Sequence, residues 1–372
     1  MYDKILEQLN PEYQVSISTP ETEDNDLTQN NSTSPEVTFT EEDDDELVVE
    51  TYIESDWLKY IYVYDMDYLN KILNYNSVST EEIHKTIDNN PKITDKFKPL
   101  LHSFVNDLVT RQPDAEIRVL YENLKTLEIV ECTQNEMMLA ALSTTAAGCY
   151  VRSENKIYVL KDYEYKKGTW EYQIIYHELC HCLRTGQWDT KDKQIRVQCE
   201  GLTIAGITTP EALNSLFSIS LFDYEEKDIA YQLQSNIHKV MIECLDNYKL
   251  SDYVNHSLTY YASKLDEHNG DKNYATTIFE IIESQYKDYH DDDISIEQEE
   301  FYPLYDYVAD MYFRKYINET MSYCDAQLVA AELIDKIMYD VPEDYNIDTN
   351  RFYDYLQEYC ESKGMETTQP TM

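Results

Sequence analysis

Basic residues are scarce in this chain. Against 72 Asp and Glu stand only 30 Lys and Arg, leaving a formal net charge of -42. Such a surface repels phosphate backbones and anionic lipid alike, which argues against nucleic-acid binding by charge neutralisation and against anionic membranes, and favours cationic substrates or partners. No apolar run reaches the roughly 18 residues a membrane helix needs, and Met1-Tyr2-Asp3-Lys4 opens no hydrophobic leader. As written, the protein is therefore expected to be soluble and cytoplasmic; a leader removed ahead of this numbering would make it secreted. The eight cysteines, at 132, 149, 180, 182, 199, 244, 324 and 360, lack the clustered spacing of a disulfide framework and read as free thiols in a reducing compartment. Cys180 and Cys182 stand two apart on an expected helix and point about 200° away from each other, so they cannot chelate one ion together and read as buried structural residues. Glycine is also rare, 7 against 35 tyrosines, and the tyrosines are read as composition rather than as a binding motif.

What remains is enough for a sizeable core: 372 residues, 42% of them hydrophobic. Residues 1-46, rich in Ser, Thr, Asn, Pro and acids and ending in Glu41-Glu42-Asp43-Asp44-Asp45-Glu46, are expected to be a disordered acidic tail, because they bury too little apolar area to offset ordering. No Asp-x-Asp-x-Asp-Gly loop makes this tail a calcium site. Ser79-Thr80-Glu81-Glu82 predicts a capped helix, and Thr94 a second one carrying Phe97, Leu100, Leu101, Phe104, Val105 and Leu108. A further helical stretch runs to Leu124, Thr126 to Glu131 alternates like a strand, and 134-142 reads as a helix. Ala147 to Val151 and Lys156 to Leu160 predict a hairpin around Ser153-Glu154-Asn155. After Thr209-Pro210-Glu211, a helix start, 209-365 reads as an all-helical C-terminal lobe without internal repeat, and 366-372 as a second disordered tail.

The stretch that carries chemistry is Tyr176-His177-Glu178-Leu179-Cys180-His181-Cys182, an H-E-x-x-H pattern inside the apolar run Ile174, Ile175, Leu179, Leu183. Thr169 is its expected N-cap, with Glu171 in the first turn. Two His four apart lie one turn above each other on one helix face, so both imidazoles can reach one ion, and Glu178 lies beside that face within reach of a water on the metal. A catalytic zinc site wants three protein ligands plus an open position, so a third ligand is needed. Glu200, in Cys199-Glu200-Gly201 on an expected second helix beyond the turn at Gly186, is the candidate.

From His177 to Glu200 the sequence resembles the gluzincin clan of zinc metallopeptidases, in which H-E-x-x-H is followed at about this interval by a ligand Glu. The resemblance covers residues 145-206. It implies one zinc ion per chain held by His177, His181 and Glu200, Glu178 as general base, and an α+β fold: a zincin-like lobe over 47-208, with a small twisted sheet, an edge strand, the H-E-x-x-H helix and a Glu helix, followed by the helical lobe. It implies too that an extended peptide pairs with the strand edge before the zinc helix, here sought within Gly148 to Leu160. A His or Tyr about sixty residues past the ligand Glu, to steady the oxyanion, would be His256, Tyr260 or Tyr261. His238 reads as an ordinary surface or core helix residue. Ile204 stands where an acid often orients the first zinc His, so that support has to come from elsewhere.

The expected activity is zinc-dependent hydrolysis of peptide bonds in a peptide or protein substrate, with the acidic surface favouring cationic ones, and with neither nucleic acid nor membrane as partner. A metallo-aminopeptidase is a second possibility, without a G-x-M-E-N-type stretch to anchor a free amine. A non-catalytic acidic protein that regulates or mimics a basic partner is the third.

Overall fold

The structure is a computed structural model that describes residues 38-42, 46-50, 71-72, 74-141, 146-184, 208-222, 231-256, 258-270, 274-290, 302-339 and 348-367. The fold is α+β, mostly helical, with a small three-stranded sheet. Within the segment expected as a tail, β1 (Thr38–Glu42) pairs antiparallel with β2 (Glu46–Glu50), Phe39 opposite Val49 and Thr40 opposite Val48. Residues 38-42 and 46 thus form strands within the stretch expected as a disordered tail. Residues 1-37 lie outside the described residues.

The next elements follow the sequence closely. Helix α1 (Thr80–Asn89) starts at the expected capping box, with Ser79 Oγ accepting from the Glu82 amide and the Glu82 carboxylate accepting from the Ser79 amide. Helix α2 (Lys98–Arg111) begins four residues after Thr94, whose carbonyl accepts the amides of Phe97 and Lys98, and buries Leu100, Leu101, Phe104, Val105 and Leu108. Then come α3 (Arg118–Leu124), β3 (Glu128–Cys132), α4 (Gln134–Ala141), β4 (Gly148–Val151), β5 (Lys156–Leu160) and α5 (Trp170–Leu183), the H-E-x-x-H helix.

The sheet has the order β3-β5-β4, with β3 parallel and β4 antiparallel to β5. This corrects one expectation. Of the stretch 148-160, β5, the strand nearest α5 in sequence, is the middle strand, and only β4 is an edge. Pairing with β3 is what closes β5, and nothing local in the hairpin announces a partner from residues 128-132.

The C-terminal half is helical where described: α6 (Thr208–Ser220), α7 (Gln232–Cys244), α8 (Asp252–Asn255), α9 (Leu258–Asn269), α10 (Tyr274–His290), α11 (Tyr302–Tyr316), α12 (Tyr323–Met338) and α13 (Asn350–Ser362). Helix α7 packs on α6, α11 and α12, and α6 packs on α5. Buried residues from Ile83 to Cys360 form one contiguous core across both expected lobes, beside a small cluster of Cys132, Met137 and Leu160. Many of the tyrosines belong to it: Tyr176, Tyr253, Tyr261 and Tyr312 are fully buried. No disulfide joins the described cysteines, and Cys180 and Cys182 are buried as expected. Among the described residues no helix is long and apolar enough to cross a membrane.

Candidate metal centre

Helix α5 starts where the sequence places it, Thr169 Oγ1 accepting the amide of Tyr172 with Glu171 in the first turn. Its back face is fixed from three sides. Tyr176, next to the first His, stacks on Phe222, meets Phe104 edge to face and donates its hydroxyl to Asp107 at 2.7 Å. At the other end Asn123 donates to the carbonyl of Cys182 at 2.7 Å, satisfying one of the four carbonyls that a helix C-terminus leaves open. The following residue, Arg184, donates to Tyr253 O at 3.1 Å and lies over the Tyr253 ring.

With the back face held, His177 and His181 point the same way. Their Nε2 atoms are 3.2 Å apart, and both face Oε2 of Glu211, at 2.9 Å from His177 and 3.3 Å from His181. A tetrahedral zinc ion with bonds of about 2.0–2.1 Å sets its ligand atoms about 3.3 Å apart. The observed triangle of two imidazole nitrogens and one carboxylate oxygen, with edges of 2.9, 3.2 and 3.3 Å, could hold a metal ion, and these three residues form the metal-competent group among the described residues. The side chains keep 15, 14 and 23% of their surface, so the centre is open to an arriving ion.

Glu211 comes from the first turn of α6. The Thr208 amide is capped by Glu283 at 2.8 Å, and the carbonyl of Pro210 accepts from the Tyr253 hydroxyl at 2.9 Å. Three and four residues on, the same face of α6 brings Asn214 and Ser215. Asn214 donates to the His177 carbonyl at 2.8 Å, and Ser215 Oγ lies 3.3 Å from His177 Nδ1. Nε2 donates its hydrogen to Glu211; with an ion in that hydrogen's place, Nδ1–H donating to Ser215 would leave the Nε2 lone pair for the metal. Ser215 is the orienting group that Ile204 does not provide.

Electrostatics agree with the geometry. Burial pushes the Glu211 carboxyl up, but the neighbouring His181 charge and the hydrogen bonds to His177 and His181 outweigh it and hold Glu211 well below the ordinary carboxylate range. Burial works against a charged His177 too, yet its hydrogen bond to Glu211 raises it, whereas for His181 burial prevails and lowers it. Glu178 is 7% exposed, and burial raises its carboxyl to about 7, against the lowering effects of His177 and of the Tyr150 amide that it accepts from. A carboxylate near neutrality is suited to taking and returning a proton.

Tyr150 belongs to β4, so Glu178 touches the sheet edge directly. The contact is close. A Cβ on Gly148, two residues earlier, would collide with Ile174 Cγ2 and stand 3.1 Å from Glu178 Oε1, which only glycine avoids.

The remaining site candidates fall as follows. Glu200 lies outside the described residues; within them, the carboxylate that meets both imidazoles is Glu211. His256 and Tyr260 are brought together with each other, their rings stacked at 4.1 Å and His256 Nε2 3.8 Å from Asp252 Oδ1, and neither belongs to the donor cluster. Tyr261 and His238 are core residues joined by a 3.0 Å hydrogen bond, and burial drives His238 down to about 3. Sequence reasoning passed over Glu211 as a helix start. The signal was present in the pattern Glu211, Asn214, Ser215, Ser218, a polar stripe on a helix that is apolar at Ala212, Leu213, Leu216, Phe217 and Ile219. No family model, curated protein or solved structure matches the chain.

Proposed function

We propose that the protein is a zinc-dependent metallopeptidase of gluzincin-like, zincin-type design, with His177, His181 and Glu211 as the metal ligands and Glu178 as the general base. The observation that carries this is the donor triangle of two imidazole nitrogens and one carboxylate oxygen, set beside the buried carboxylate of Glu178. Zinc bound there supplies Lewis-acid polarisation of a carbonyl and acidifies a water. The chain's own residues do the rest. Glu178 accepts the proton of the attacking water and returns it to the leaving amine, while the Tyr150 amide keeps its carboxylate aimed along the β4 edge. Ser215 fixes the His177 ring, and the main chain of β4 pairs with an extended peptide by β-augmentation. The acidic surface draws in cationic stretches of substrate.

The test is metal content by elemental analysis together with cleavage of a peptide library. Wild type is expected to carry one equivalent of zinc and to lose turnover on chelation. Glu211→Gln and His177→Ala are expected to lose the metal, and Glu178→Gln to keep metal and fold while turnover disappears. Glu200→Gln in parallel separates the two carboxylates: zinc lost there and kept in Glu211→Gln would sink this ligand set. A metal-free wild type would sink the enzyme.

A further inference from the structure

Away from α5, a second pair of imidazoles sits between α1 and α2. His84 and Asp88 are four apart on α1, His102 and Asn106 four apart on α2, and each ring reaches across to the other helix. His102 Nε2 is 3.0 Å from Asp88 Oδ1 and His84 Nε2 is 3.2 Å from Asn106 Oδ1. Both oxygens are acceptors, so both Nε2 atoms carry the hydrogen. In the neutral rings that leaves the lone pairs at the two Nδ1 atoms, which face each other at 2.7 Å. Two lone pairs at that distance repel, and a cation between them, a shared proton or a metal ion, removes the repulsion.

The geometry points to a metal site of a different kind from the first. We infer that His84 and His102 bind a divalent nickel or copper ion through their Nδ1 atoms. With metal–nitrogen bonds of about 2 Å, neighbouring ligands at 90° in a six-coordinate, water-completed complex stand about 2.8 Å apart, against about 3.3 Å around tetrahedral zinc. The 2.7 Å separation matches the former. Asp88 and Asn106 hold the other ring nitrogens in the way that outer partners orient metal-binding imidazoles. The His102 side chain is 29% exposed and Asp88 62%, so an ion has access and water can complete its coordination. Ion binding here clamps α1 to α2.

Nickel is the probe, since copper would oxidise the free thiols. The zinc-loaded full chain is titrated with nickel chloride at neutral pH, and nickel retained per chain is counted. Wild type is expected to retain one equivalent more than His84→Ala or His102→Ala, Asp88→Asn to bind about tenfold more weakly, and turnover to be the same in all. Because the comparison is a difference between chains that share the His177 centre, it reads independently of whether that centre is an enzyme. In wild type alone, sub-stoichiometric Ni2+ should broaden the ring proton resonances of His84 and His102 first, a measurement that depends on no variant's folding. Equal uptake by wild type and His84→Ala, loss only on His102→Ala, or unbroadened His84 resonances would overturn the site. In each case Asn106 would be presenting its amide nitrogen, with His84 Nδ1–H donating directly to His102.

Discussion

Ser215 Oγ and His177 Nδ1 lie 3.3 Å apart, on the side of the imidazole away from Glu211. With an ion on Nε2, this hydroxyl on α6 would accept the Nδ1–H of His177 and hold its ring on α5. Ser215→Ala is expected to lower zinc affinity by roughly ten- to a hundredfold, the usual cost of losing a group that orients a ligand. Competition against a chromogenic chelator measures it. Affinity equal to wild type would mean that another group sets the tautomer.

The close approach of Gly148 to Glu178 leads to a second expectation. In Gly148→Ala the added methyl has to push β4 off α5, at a cost of roughly 1–3 kcal/mol, as for other overpacked sites. The same movement draws the Tyr150 amide away from Glu178, so kcat/KM should fall further than stability alone accounts for. Urea unfolding and peptide cleavage on one preparation separate the two effects.

Tyr176 ties the metal helix to α2 through Asp107. Removing only its hydroxyl, in Tyr176→Phe, is expected to cost about 1 kcal/mol, the typical net worth of such a hydrogen bond. The ring, stacked on Phe222, stays in place. Zinc content should not change, and a drop in it would show that the hydroxyl positions the ligands as well as the helix.

Acid stability should carry the signature of His238. Burial lowers its folded value to about 3, below the unfolded value of about 6.5. Below the unfolded value only the unfolded chain takes up this proton, so stability present above pH 6.5 or so is lost as pH falls towards 3, at about 1.4 kcal/mol per unit. His238→Gln removes the titration. Its stability, measured by urea titration on the metal-free chain, should fall less steeply with acid than that of wild type; parallel slopes would mean that His238 protonates in the folded state.

The parts of the molecule written in the sequence are those whose causes are local. Thr169 caps α5, Ser79 and Glu82 box the start of α1, and the hairpin of β4 and β5 turns at Asn155, whose left-handed φ of 50° suits asparagine. Relationships between distant segments were not legible. That β5 is a middle strand depends on β3, and that Glu211 meets two imidazoles depends on how α6 packs on α5. Alternation and helical period show which face is apolar. They do not show which partner covers it.

The sheet order also sets a sequence of events in time. Strands β4 and β5 are joined by the four residues 152-155, a loop that closes at little entropic cost, whereas β3 reaches β5 in parallel only after α4 and the hairpin lie between them. The hairpin is therefore expected to assemble early and to present two raw edges until β3 arrives on one of them. While that side is vacant, β5 is as open to a foreign strand as β4, and a chain caught at this stage would pair with its own kind through the very strand that the finished fold conceals.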